Sequence, residues 1–183
     1  MNEYLKEYTV IKHDRISRTH FFAERAQLVK KYSWAIPCDA ALDAIKALGK
    51  PVVEMGAGTG YWAYLLKRMG VSVLAYDRFP PKGGKNFYKH THEWVQVLPG
   101  CPSDLVNHPD RVLLLCWPPY DNSMASECLR WYRGTHVVFI GEYDGCTGDS
   151  LFFAELERKW RRVSRVVIPV WFTNDALYIF ERV

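Results

Sequence analysis

One stretch, Val52-Val-Glu-Met-Gly-Ala-Gly-Thr-Gly-Tyr61, constrains this chain more than any other. An apolar run of strand length passes into three glycines at alternate positions, Gly56, Gly58 and Gly60, and a helical pattern follows. Glycines let the backbone turn sharply and approach a ligand with no Cβ in the way. The helix N-terminus behind them presents unpaired N–H groups. Asp77 ends the next apolar run, about 20 residues on, where nucleotide-binding folds carry an acid for the ribose hydroxyls. Strand, loop, helix and spaced acid together predict a ligand-binding α/β unit rather than a set of turn glycines.

The rest of the chain fits that unit. From Pro51 onward, short apolar runs alternate with helical stretches. Strands are expected at Val52–Met55, Val71–Tyr76, Trp94–Leu98, Val112–Cys116, His136–Ile140, Val166–Val170 and Leu177–Glu181. Helices are expected at Tyr61–Met69, Ser123–Tyr132 and Asp149–Trp160. Such alternation builds an α/β fold with a mainly parallel sheet. Only a short turn around Phe172 to Asp175 separates the last two strands, so the sheet should end in an antiparallel hairpin. Residues 1–50 read as helical. Phe21, Phe22, Ala26 and Val29 recur at helical spacing, and Asp39 to Leu48 is a strong helix former closed by Gly49. The expected organisation is therefore an N-terminal helical extension, 1–50, and an α/β domain, 51–183. Between its helices, Tyr32-Ser-Trp-Ala-Ile-Pro37 reads either as a lid or as a helix-to-helix turn with buried aromatics.

Two ligands compete for the glycine loop. A dinucleotide loop reads G-x-G-x-x-G/A. Counted from Gly56, its sixth position is Tyr61, which obstructs close helix–strand packing. The pattern is instead acidic-x-G-x-G-x-G, with Glu54 ahead of the loop. It resembles motif I of the class I S-adenosylmethionine-dependent methyltransferases. The resemblance spans Pro51 to Val183 in element order. It implies a Rossmann-like, seven-stranded, mostly parallel sheet with a terminal antiparallel hairpin, joined here by N-terminal helices. It also implies S-adenosylmethionine as cofactor. Glu54 would help hold the amino-acid end through the loop residues Gly56, Ala57, Gly58, Gly60 and Tyr61. Asp77, with Arg78 beside it, would bind the ribose. Gly100 and Cys101 would lie near the adenine, and Cys116 at the end of the fourth strand. A cationic ligand without a pyrophosphate accounts for a carboxylate that a dinucleotide would repel.

The apolar strand Val112-Leu-Leu-Leu-Cys116 stops at Trp117-Pro-Pro-Tyr120. Two prolines cannot continue a sheet ladder, and they stiffen the backbone. Their place is the strand edge where open α/β sheets bind ligands. The segment resembles motif IV, (Asp/Asn/Ser)-Pro-Pro-(Tyr/Phe), of the amino-methyltransferases that act on adenine N6, cytosine N4 or a glutamine amide. There the first side chain and a proline carbonyl accept hydrogen bonds from the target nitrogen, and the aromatic stacks on the acceptor. Trp117, Pro118, Pro119 and Tyr120 would form this wall. Trp117 departs from the pattern, because an indole only donates. Asp121 or Glu142 is a candidate to replace the missing oxygen, and Glu142 reads equally as a solvated loop acid. If neither does, either the substrate differs or the protein binds the cofactor without turnover, as a subunit or scaffold. A nicotinamide-dependent enzyme is the remaining alternative, disfavoured by Tyr61 and Glu54.

Composition narrows the partners. The 183 residues are 49% hydrophobic and 24% charged, which excludes a disordered chain, a collagen-like repeat and a coiled coil. The net charge of +4 permits phosphate contact without demanding it. The acceptor is thus open among nucleic acid, favoured by the Pro-Pro-Tyr resemblance, protein and small molecule; a partner subunit is also open. No apolar run reaches the roughly 18 residues of a membrane span, and the first residues lack a basic-then-apolar signal pattern. Five scattered cysteines without a C-x-x-C read as reduced thiols of an intracellular protein, cytoplasmic or nuclear. His90, His92 and Cys101 fall short of a metal-ligand pattern, so no metal is expected. The basic run Arg158 to Arg165 reads as cations at a helix C-terminus, with a phosphate surface as the alternative. Lys82 to Lys89, with its paired glycines, reads as a mobile loop beside the cofactor edge.

Overall fold

A computed structural model describes residues 1–13, 18–83 and 92–183. The expected loop at Lys82 to Lys89 and the pair His90-Thr91 fall largely outside the described residues. Three helices open the chain: α1 (Glu3–His13), α2 (Arg18–Lys31) and α3 (Asp39–Lys46). Then follow β1 (Val52–Met55), α4 (Tyr61–Arg68), β2 (Val73–Asp77), β3 (Leu98–Pro99), β4 (Val112–Cys116), α5 (Met124–Trp131), β5 (His136–Gly141), α6 (Ser150–Lys159), β6 (Trp160–Val167) and β7 (Ala176–Arg182). The sheet order is β3-β2-β1-β4-β5-β7-β6. Strands β1 to β5 are parallel, and β7 runs antiparallel to both β5 and β6. The chain order reverses between β1 and β4. Ligands of open α/β sheets bind at such a switch point, outside the carboxyl ends of the strands. The glycine loop leaves β1 there, and Trp117 leaves β4 there.

Strand alternation divides the core. Val112 and Leu114 of β4 face one layer, and Leu113 and Leu115 face the other. The second layer is closed by Leu129 of α5 and by Phe152, Phe153 and Leu156 of α6. Asp149 caps α6 by accepting from the Phe152 N–H (2.9 Å), which starts that helix. The first layer is closed by α4 and by the N-terminal helices. Tyr4, Tyr8, Leu28, Tyr32 and Ile36 pack in one cluster with Trp62, Leu66, Trp171 and Ile179. Polar bonds fix this packing. The Tyr8 hydroxyl donates to the Val170 carbonyl (2.9 Å), and the Trp171 indole donates to the Tyr4 hydroxyl (2.8 Å). Among the described residues, no helix is long and apolar enough to cross a membrane.

Three expectations need correction. The third strand was expected at Trp94–Leu98, but only Leu98–Pro99 pairs with β2. Trp94 is committed elsewhere: its N–H donates to the Thr59 carbonyl (2.9 Å) and its indole to the Lys31 carbonyl (2.8 Å). The sixth strand was expected at Val166–Val170 but runs from Trp160 to Val167, so most of the basic run is strand rather than helix end. Its pairing with the seven residues of β7, across a bulge between Arg162 and Ser164, outweighs local helix propensity. Arg161 pairs with Glu181 (2.8 Å), and Arg162 and Arg165 lie over the Tyr178 ring. Cations on an edge strand discourage edge-to-edge pairing.

The third correction concerns Tyr61. Its ring is fully buried, and its hydroxyl accepts from the Tyr4 N–H (3.2 Å) and donates to Glu3 (3.1 Å). It anchors α1 instead of facing a ligand. Tyr61→Phe should leave the Tyr4 amide unpaired and cost about 1–3 kcal/mol. Thermal unfolding should register a loss of several degrees; an unchanged melting temperature would show the anchor to be idle.

Candidate active site

The three loop glycines all occupy left-handed backbone: φ is +78° at Gly56, +56° at Gly58 and +76° at Gly60. The loop is pinned to β2, because the N–H groups of Gly56 and Ala57 both donate to the Tyr76 carbonyl (2.8 and 2.9 Å). Asp77 continues the clasp. Its Oδ2 accepts from the Gly58 N–H (3.0 Å) and its Oδ1 from the Phe79 N–H (2.8 Å). Gly100 sits where a Cβ would come within 2.6 Å of the Tyr76 ring.

These pieces surround a cavity of about 480 Å³, inside the range of roughly 300–1,000 Å³ found for small-molecule sites. Gly56, Asp77, Arg78 and Gly100 line one end. Cys116, Trp117, Pro118 and Pro119 line the other. The structure therefore brings these eight sequence-derived candidates together. Glu54 in β1 and Ala57, Gly58 and Gly60 in the loop after it support the cavity without lining it. Cys101 is exposed and opens the short 3-10 turn Pro102–Asn107, where its N–H donates to Asp104 (2.8 Å).

Glu54 is the electrostatic feature of the loop. It is 1% exposed, and its Oε2 is buried with no hydrogen-bond partner. Burial pushes its pKa up to about 8; the Ala63 N–H in the first turn of α4 pulls it down, and the Asp77 charge pushes it up. Burial, and then Glu54, also hold the Cys116 thiol well above its usual range. A buried acid with a free oxygen behind a glycine loop suits a cationic ligand better than a diphosphate.

The Trp117 segment is knitted to β5 and to the loop after it. The Trp117 N–H donates to the Ile140 carbonyl (2.7 Å), the Gly148 N–H to the Pro118 carbonyl (3.1 Å) and the Asp121 N–H to the Gly148 carbonyl (2.9 Å). Trp117 and Asp121 are left-handed at φ +51° and +49°, at a cost of about 1–2 kcal/mol each for a side chain with a Cβ. Trp34, from the segment read as lid or turn, stacks on Trp117 with ring centroids 5.2 Å apart and also lines the cavity.

Tyr120, Asp121 and Glu142 do not line this cavity. Tyr120 points to solvent at 69% exposure, and Asp121 is exposed. Glu142 is consumed by the backbone: it accepts from the N–H groups of Asn174 (2.8 Å) and Cys146 (3.1 Å). The Asn174 bond leads in holding its carboxyl below the usual range. Among the described residues, no three His, Cys, Asp or Glu side chains converge to hold a metal ion.

Sequence reasoning passed over Phe79, Met124 and Glu127, which also line the cavity. Phe79 carried a signal, being two residues past Asp77 on the ligand edge. Met124 and Glu127 carried none, since which turn of α5 faces the cavity depends on how it packs.

No family model matches the chain, and no curated protein is similar to it in sequence. The strand order and the antiparallel end define the Rossmann-like fold of the class I S-adenosylmethionine-dependent methyltransferases. Among solved structures, the chain is similar to a magnesium protoporphyrin IX methyltransferase from Synechocystis PCC 6803 with bound S-adenosylmethionine. The TM-score is 0.56 at 10% identity, over 100% of this chain and 92% of that one. It is also similar to a 1,6-didemethyltoxoflavin-N1-methyltransferase from Burkholderia thailandensis with bound S-adenosylhomocysteine (TM-score 0.54, 16% identity, 92% of each chain). A third is the N-methyltransferase NodS from Bradyrhizobium japonicum WM9, bound to S-adenosylhomocysteine (TM-score 0.51, 13% identity, 100% of this chain and 99% of that one). At these identities the likeness is one of fold.

Proposed function

We propose that the chain is an S-adenosylmethionine-dependent methyltransferase. The observation that carries this reading is Asp77, clasped by the glycine loop and facing the cavity at the carboxyl end of β2. The N–H groups of Gly58 and Phe79 fix this carboxylate at the cavity edge, where a ribose diol would meet it. Gly56 and Gly100 line the cavity, and Arg78 and Phe79 border the adenosine end. Glu54, protonated in the free protein, would become the counter-charge behind the loop when a cation binds. The bound cofactor supplies a methyl group made electrophilic by its sulfonium. The protein's part is to exclude water and hold a nucleophile in line with that methyl. The reading includes residues 1–50 as an extension whose Tyr32–Pro37 segment helps cover the site, since Trp34 lies on its wall.

A nucleic-acid base nitrogen is less well supported as acceptor. Trp117 has no acceptor oxygen, and the Pro118 carbonyl already takes the Gly148 N–H. The arginines of β6 are separated from β4 by β5 and β7. The first two of these observations favour, as a second reading, a cofactor-binding subunit that needs a partner for turnover.

Calorimetric titration with S-adenosylmethionine, S-adenosylhomocysteine and NAD tests the proposal. Selective binding of the first two is the expected result. Preference for NAD, or binding of none, would overturn it.

A further inference from the structure

Arg25 is a cation without a paired anion. It lies on α2, half-buried, and its Nε is buried with no hydrogen-bond partner. Among the described residues, no carboxylate forms an ion pair with its guanidinium. The guanidinium rests instead over the Trp34 ring, 5.3 Å from the centroid. Trp34 in turn stacks on Trp117 with centroids 5.2 Å apart, and both indoles line the cavity. One indole face carries one stacked partner, so Trp34 stands between Arg25 and Trp117. Asp175 acts on the same cation from longer range. Burial is the leading influence on Asp175 and holds its carboxyl above the usual range, so it neutralises Arg25 poorly.

An aromatic patch lies beside this cation. Phe21 and Phe22 precede Arg25 by four and three residues on α2, which puts them on its side of the helix. Phe172, from the loop between β6 and β7, has its ring centroid 4.6 Å from that of Phe21 and 5.8 Å from that of Phe22. Phe172 is 69% exposed and keeps a left-handed backbone at φ +87°. A bulky side chain rarely adopts that conformation, and such strain collects at functional sites. Here it holds an aromatic ring out in water. Gly141 of β5 pairs with Ala176 of β7. The loop carrying Phe172 therefore stands at the carboxyl ends of the parallel strands, the edge that also carries the cavity.

We propose that Arg25, Phe22, Phe172 and Trp34 form a binding site, next to the cavity, for the carboxylate end of an aromatic molecule. The guanidinium is a planar fork that matches a carboxylate, and the phenylalanine rings take the aromatic body. The ligand carries one negative charge there, because Asp175 stands near the same cation and opposes a second. That sets a carboxylate apart from a phosphate monoester. The site also deepens the methyltransferase reading, and in this respect rests on it. It is the outer end of the acceptor pocket, where the acceptor is anchored by its carboxylate while its nucleophile passes the edge of Trp34 toward Trp117.

The test reads binding directly. The probes are 3-phenylpropionate, 3-phenylpropionamide and 3-phenylpropylamine, which share ring and chain and differ in charge. Proton–nitrogen spectra resolve tryptophan indole N–H groups, and Trp34→Phe identifies the Trp34 resonance by its loss. The propionate should move that resonance and bind about tenfold more tightly than the amide, with the amine weakest. Arg25→Gln should bring the propionate down to the level of the amide. Phe172→Gly should weaken propionate and amide alike by about tenfold with little change in melting temperature, because glycine takes φ +87° without strain. A ring with only a structural role would do the opposite, lowering the melting temperature and leaving the affinities alone. Should Arg25→Gln fail to fold, Phe172→Gly decides. An unmoved Trp34 resonance in the native protein, equal binding of the three probes, or affinities untouched by Phe172→Gly would overturn the site. The spectra need no S-adenosylmethionine. Failure of cofactor binding in a parallel titration would therefore count against the methyltransferase reading and leave the carboxylate site standing.

Discussion

Glu54→Gln should stabilise the ligand-free protein strongly at pH 8 and little at pH 5. Burial lifts the Glu54 carboxyl from 4.5 to about 8. Between those values the folded protein keeps a proton that the unfolded chain has released. Stability therefore falls as pH rises through that window and levels off above it. The whole effect is roughly 4–5 kcal/mol. Glutamine imitates the protonated acid and removes this dependence. The melting-temperature gap between variant and native protein should widen from small at pH 5 to on the order of 10 °C above pH 8. Ligand binding should show the reverse preference. A cation bound near Glu54 favours the ionised carboxylate, so the native protein should release a proton on binding S-adenosylmethionine, and the variant should not. Calorimetry in buffers of different ionisation heat measures that proton. A gap that stays constant with pH would show that Glu54 is not the titrating group.

The second large effect belongs to Asp77. Asp77→Ala should weaken S-adenosylmethionine binding by about 100-fold or more. Two hydrogen bonds from the ribose to a charged acceptor contribute about 1.5–3 kcal/mol each, and each 1.4 kcal/mol is tenfold. The same change also frees the Gly58 and Phe79 N–H groups, so the loop loses its clasp and the melting temperature should drop by several degrees. Asp77→Asn retains an acceptor oxygen and should fall between alanine and native protein on both measures. Lowered stability with unaltered affinity would reduce Asp77 to a loop clasp and remove its ribose role.

The legible part of the site was the part written in local chemistry. Three alternating glycines after an apolar strand demanded left-handed turns, and all three adopt them. The short link before the last strand demanded an antiparallel partner, and β7 runs antiparallel to β6. The illegible part depended on which long-range partner claimed a residue. Trp94 looked like strand but gives its N–H groups to Thr59 and Lys31. Glu142 looked like an active-edge acid, yet backbone N–H groups of Asn174 and Cys146 take both its oxygens. Tyr61 stood in the motif, yet its hydroxyl holds α1.

By itself the sequence determined the α/β alternation, the ligand loop with its spaced acid, and the stiff turn after β4, because each follows from the backbone preferences of neighbouring residues. Only the tertiary structure decided that Trp34 would lie on Trp117 and that Tyr8 would bond the Val170 carbonyl. Those contacts join segments far apart in the chain. Their partners are set by how the N-terminal helices and the β6–β7 loop pack over the ends of the strands, which no local spacing encodes.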